Sequence, residues 1–229
     1  MTKDGGQKDR DSVLRPSSFV FCPPAVCSQR RPRRGFARMT FSSIHDPTHL
    51  YFITASVIEW KHLFSTPEYA NIPTTSLAWM QEQKRILLFS FVIMPSHLHA
   101  IIKPESDSIG NILQQFGSFT AHEILKRLKT ENKQDLLNIF HQKRRDERHE
   151  HSIWQDIQAK NIYSTDFLWQ KIEYIHQNPV AKGWELVEDR ADYVFSSACH
   201  YDNKRKPVIP ITDINEWLSL PPPRTAAEA

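Results

Sequence analysis

ILLFSFVIMPSHLHAIIK, residues 86–103, decides the fold. Its first half, 86–94, is a nearly continuous apolar run of strand length, as expected of a strand covered on both faces. Pro95-Ser96 makes a turn, and residues 97–103 read as the returning strand of a hairpin. Upstream, HLYFITASVI at 49–58 is rich in aromatic and β-branched residues and predicts a further, central strand. Between them, residues 67–83 carry Tyr69, Leu77, Trp79 and Met80, which predicts a helix beginning near Thr74. Downstream, 108–130 is the longest helical pattern, with Lys126, Arg127 and Lys129 at its C-terminal end, where cations suit the helix dipole. Residues 131–150 are polar and charged, a helix followed by a loop, and 153–155 predicts a short strand. Residues 164–178 predict a helix capped by Ser164 or Thr165, with an apolar stripe of Leu168, Ile172 and Ile175. Asn178-Pro179 ends it, because the residue before proline disfavours the α region. The order strand, helix, hairpin, helix, strand, helix predicts an α+β fold: one mainly antiparallel sheet with helices packed on it.

The outer parts of the chain are read from composition. Residues 1–38 hold nine Lys/Arg and three Asp/Glu, a net of +6, while the rest has twenty basic and twenty-three acidic residues, a net of −3. The basic overall balance therefore belongs to the first 38 residues, and any affinity of the folded part for nucleic acid has to come from local patches. With Gly5-Gly6, several prolines and no sustained periodicity, 1–38 reads as a disordered basic tail, or as an upstream extension of the reading frame with Met39 as the start. Residues 39–203 read as the domain and 204–229 as a proline-rich extension with one short helix near 213–218. No apolar stretch has a membrane span's length, and none has a signal peptide's apolar centre, so the expected place is the cytoplasm. Three cysteines make neither a disulfide framework nor a zinc site.

His97-Leu98-His99 carries the first chemical signal. On a strand, positions i and i+2 face the same way, so both imidazoles can converge on one metal ion while Leu98 points into the core. Taken alone, the pattern is explained more simply by two histidines on the solvent face of a strand. The second signal is Tyr174 and Asn178, one turn apart at the edge of the buried stripe, with Phe167 and Lys171 beside them. His176 projects to the opposite flank of that helix and is left out of the site.

The ordered set Met94-Pro95-Ser96-His97-Leu98-His99, Phe119-Thr120, Ile153-Trp154-Gln155 and Tyr174-Ile175-His176-Gln177-Asn178-Pro179-Val180 resembles the single-tyrosine HUH transposases, in particular the REP-associated branch. Tyr193-Val194-Phe195-Ser196-Ser197 matches a segment that follows in that branch. Residues 156–163 depart from its pattern, in which a further histidine follows the tryptophan segment. The resemblance spans roughly 48–201 and implies a ferredoxin/RRM-like sheet. It implies His97, His99 and Asn178 as ligands of Mg²⁺ or Mn²⁺, and Tyr174 as the nucleophile. Two imidazoles and an amide oxygen suit Mn²⁺ better on donor chemistry, whereas the family favours Mg²⁺. The implied activity is cleavage and rejoining of single-stranded or hairpin DNA through a 5′-phosphotyrosine. Lys171, Lys126, Arg127, Lys129, Lys143, Arg144 and Arg145 are candidate contacts to DNA phosphates. A monomer is favoured and a homodimer is the alternative. Two other functions compete: a non-catalytic binder of DNA hairpins, and a histidine-triad nucleotide hydrolase. The hydrolase pattern needs a third histidine where this chain has Ile101.

Overall fold

The computed structural model describes residues 49–144, 150–202 and 205–219. The expectations for 1–38, Met39 and Arg145 fall outside these residues. Four strands, β1 (Leu50–Val57), β2 (Ile86–Ile93), β3 (His97–Pro104) and β4 (Trp154–Ile162), form one antiparallel sheet in the order β2-β3-β1-β4. The helices are α1 (Pro67–Glu82), α2 (Ile109–Thr130), α3 (Gln134–Gln142), α4 (Thr165–Gln177), α5 (Ala198–Tyr201) and α6 (Ile214–Ser219). This is the β-α-β-β-α-β plan of a ferredoxin-like sheet, with α3 inserted before β4 and α4 added after it.

Side-chain parity sorts the core into two layers. Ile53, Ala55, Leu98, Ala100 and Ile102 join α1, α2 and α3 on one face. Phe52, Phe89, Val92, Ile101 and Met94 meet Leu168, Ile172 and Ile175 of α4 on the other. A bulge in β2 helps build this second layer. Leu88 pairs with Ile102 and Ser90 with Ile101, so Phe89 is the extra residue, and Phe89 and Ser90 both turn toward α4.

The outer edge of β2 is covered by the segment after α4. Ile93 N–H donates to the Phe195 carbonyl at 2.8 Å, Ser197 N–H donates to the Phe91 carbonyl at 3.0 Å, and Tyr193 and Tyr201 donate from their hydroxyls to the carbonyls of Ile93 and Phe89. An otherwise open sheet edge is thereby satisfied. His176, buried on the flank of α4 away from Tyr174, lies 2.9 Å from Ser197 Oγ and 3.1 Å from Ser90 Oγ. The YVFSS segment is therefore the strap that binds α4 to β2. Residues 205–219 also pack onto this body, through buried Ile209 and Ile214 and a Thr212 N–H bond to the Leu88 carbonyl.

Three boundaries differ from the sequence reading. Helix α1 begins at Pro67, not near Thr74: Pro67 occupies the first helical position, and Pro73 is accommodated inside the helix. Strand β4 runs to Ile162 rather than ending at Gln155. Its buried positions, Trp154, Ile157, Ala159, Asn161 and Ile162, are spaced irregularly by one, two or three, which hides the strand period. Asn178 also keeps an α conformation (φ −52°, ψ −48°) despite the following proline. Pro179 has no N–H for the Ile175 carbonyl, so Asn178 N–H serves that carbonyl instead, and Asn178 Nδ2 donates to the abandoned Tyr174 carbonyl at 2.6 Å.

Candidate active site

In a two-layer sheet the face away from α1 and α2 would be bare. Here α4 covers part of it and leaves a cleft of about 570 Å3 over the start of β3. His97 and His99 form its floor, each 5% exposed, with ring centroids 5.0 Å apart. Leu98 points into the opposite layer, as the strand period requires. Register with β1 sets His99 opposite Thr54, whose Oγ1 lies 3.0 Å from Nδ1. Phe52, two residues earlier on the same face, stacks on the His99 ring at 5.3 Å. The ring is fixed on two sides, and Nε2 is the nitrogen left toward the cleft. His97 Nδ1 lies 3.3 Å from Ser96 Oγ in the hairpin turn.

Helix α4 supplies the other wall. Tyr174 is 47% exposed, and its hydroxyl lies 3.5 Å from His99 Nε2. Edge-on contacts with Phe52 and His99 hold its ring at 6.0 and 5.2 Å. Lys171, one turn earlier, sets its ammonium about 5 Å from the rings of Phe52, Phe167 and Tyr174. Asn178, one turn later, has Nδ2 committed to the Tyr174 carbonyl and its side chain hydrogen-bonded to His97.

Burial keeps both histidines neutral. It pushes His99 down to about 3, aided by the neighbouring His97 and Lys171 charges. It also lowers His97, against the opposing hydrogen bond that the ring makes to Asn178. Neutral imidazoles held by neighbours through one nitrogen are the form that binds metal. No group of three or more His, Cys, Asp or Glu side chains that could hold a metal ion occurs among the described residues, so a third donor beside the histidine pair would have to be an amide such as that of Asn178. The set fits a divalent cation that keeps open positions.

The cleft's charge is one-sided. Lys171 lines it, as do Gln158 and Lys160 from β4, and no carboxylate among the described residues lines it. Among the described residues neither lysine is in an ion pair. A dication held there by neutral ligands would keep its charge, which would favour an anion with several oxygens.

The structure brings together His97, His99, Tyr174, Asn178 and Lys171. It leaves the other basic candidates apart. Lys126, Arg127 and Lys129 sit on α2, which packs on the opposite face of the sheet; Arg127 pairs with Glu131 and Lys129 with Glu150, both at 3.4 Å. Lys143 pairs with Glu59 at 2.8 Å, and Arg144 donates to the His141 carbonyl. Thr120 and Trp154, part of the recognised motif set, bond to each other through Nε1 and Oγ1 at 2.9 Å in the core under the sheet. Sequence reasoning missed Phe52, Thr54, Trp60, Gln158, Lys160 and Trp184. The first two become neighbours of His99 only through the register of β1 on β3; Gln158 and Lys160 needed β4 to be seen at full length.

No family model and no curated protein matches the sequence. Among solved structures, a REP-associated tyrosine transposase bound to a REP hairpin matches with a TM-score of 0.52 and 19% identity, covering 76% of this chain and 92% of the other. The chain has that fold. Among the described residues no helix is long and apolar enough to cross a membrane.

Proposed function

We propose that the protein is a single-tyrosine HUH transposase of the REP-associated kind, which cuts and rejoins single-stranded or hairpin DNA. The observation that carries this reading is the 3.5 Å approach of the Tyr174 hydroxyl to His99, in an open cleft without carboxylates. A divalent cation, Mg²⁺ or Mn²⁺, held by His97, His99 and Asn178 would supply charge withdrawal at a bound phosphate. Thr54 and Phe52 orient His99 for that role. Tyr174 Oη forms a bond to phosphorus as the bond from phosphorus to the 3′ oxygen breaks. The phenolic proton passes to solvent, which the exposed ring reaches, and the leaving oxygen takes up a proton to become a 3′-hydroxyl. The product is a 5′-phosphotyrosine that conserves the phosphodiester for rejoining without ATP. Lys171 beside the tyrosine offsets the phosphate charge.

One chain holds both histidines and the tyrosine within contact, which supports a monomer as the active unit. The test is incubation of hairpin-bearing single-stranded DNA with Mn²⁺ and either wild type or Tyr174→Phe. The expected result is a denaturation-resistant adduct with wild type alone. Tight binding with no adduct in either protein would leave a hairpin-binding protein in place of a transposase.

A further inference from the structure

Two tryptophans flank His97 at the end of the cleft away from Lys171. Trp60 and Trp184 place their ring centroids 5.5 and 5.6 Å from the His97 ring. Trp60 closes the short 3-10 turn Ile58–Trp60 after β1 and is 53% exposed, an unusual cost for the largest apolar side chain. Its backbone is also strained: Glu59 and Trp60 both have φ of +53°, a left-handed conformation that non-glycine residues rarely adopt twice running. Such strain persists only where the surroundings enforce it. Here Val57 N–H bonds the Ser96 carbonyl, Ile58 N–H bonds the Ile153 carbonyl, and Glu59 N–H bonds Gln155 Oε1. Lys143, from the end of α3, holds the Glu59 carboxylate at 2.8 Å. Opposite, Trp184 follows Gly183 at φ +93° and stands against His62, ring to ring at 5.4 Å.

Resting on the transposase reading, we infer that Trp60 and Trp184 form an aromatic rim on which an unpaired nucleobase next to the scissile phosphate stacks. Every base has a π surface, so an exposed, pre-set indole binds single strands irrespective of sequence. Lys160 and Lys171 in the same cleft supply the complement to the phosphates on either side. A strained turn that fixes Trp60 before DNA arrives lowers the ordering cost of binding. Lys143, expected from sequence to touch DNA, acts in this scheme as a positioning residue for Glu59.

The experiment uses the full chain carrying Tyr174→Phe, in Mn²⁺, with two fluorescent probes of equal charge: a thymidine 20-mer and an abasic 20-mer. The rim predicts tighter binding of the thymidine probe. Trp60→Ala, and Trp184→Leu (which keeps apolar packing against His62), each lower that affinity roughly tenfold and leave the abasic probe unchanged. Trp60→Phe retains most of the preference, because a phenyl ring still stacks. Equal binding of the two probes by the parent protein, or equal weakening of both by the tryptophan variants, overturns the rim and leaves the nuclease reading intact. Failure to bind either probe overturns both.

Discussion

Thr54 governs what His99 can do. With its hydroxyl 3.0 Å from Nδ1, it fixes which ring nitrogen faces the cleft. Thr54→Val keeps the shape and the strand and removes only that partner. Loss of a ligand's hydrogen-bonded support ordinarily costs 10- to 100-fold in metal affinity, so Mn²⁺ binding by titration calorimetry should weaken by roughly that factor, with the melting temperature little changed. Unaltered Mn²⁺ affinity would mean that Thr54 does not orient the ligand. The residue scale is also where sequence and structure part. His97, His99, Tyr174 and Asn178 were legible through the ordered motif set that resembles the HUH transposases; strand and helix periods added only that each pair shares a face. Thr54 was not, since it becomes a neighbour of His99 only through the register of β1 on β3. Trp60 had no signal at all: its place depends on a turn whose backbone no residue type there announces.

Helix α4 carries the nucleophile, and its seating decides whether Tyr174 meets His99. Its start was readable from Ser164, whose side chain accepts the Phe167 N–H; its stripe was readable from 3.6-residue spacing. What seats it was not readable, because His176 finds Ser90, 86 residues before it, and Ser197, 21 residues after it. Burial and the Arg190 charge push the His176 ring down to about 4 from an ordinary 6.5. The ring is neutral in both states above pH 6.5. Between pH 6.5 and 4 the unfolded chain takes up a proton that the folded chain refuses, so stability falls as pH falls, by up to about 3 kcal/mol from this group. His97 and His99 shift in the same direction. Urea unfolding at pH 7 and pH 4.5 should therefore show a smaller loss in His176→Gln than in wild type, by about 2 kcal/mol. Equal losses would place the acid sensitivity elsewhere. The helix cap gives an independent check: Ser164→Ala should cost about 1 kcal/mol by the same assay, and no change would mean that the first turn of α4 does not depend on it.

Across the whole molecule, charge is distributed against general DNA binding. Residues 39–229 sum to −3, and the ion pairs at Lys129, Lys143 and Arg127 hold basic groups that the sequence alone presented as free. The cleft is the exception, and its lysines come from two elements, Lys160 on β4 and Lys171 on α4. Their joint placement follows from the order β2-β3-β1-β4, which sets β4 beside β1. Each of Lys160→Ala and Lys171→Ala should weaken single-stranded DNA binding and reduce the slope of log affinity against log salt by about 0.7. Lys126→Ala, on the far layer, should leave the slope unchanged; a drop there equal to that of Lys171→Ala would move the DNA track off the cleft. The central claim is that Tyr174 becomes joined to DNA. Mass spectrometry of peptides from wild-type protein, incubated with hairpin-bearing single-stranded DNA and Mn²⁺ and then digested with protease and nuclease, tests it most directly. The account predicts a nucleotide phosphate on the peptide containing Tyr174, absent when His97 and His99 are both changed to alanine. DNA cleaved with no modified Tyr174, or a phosphotyrosine at another position, would contradict it.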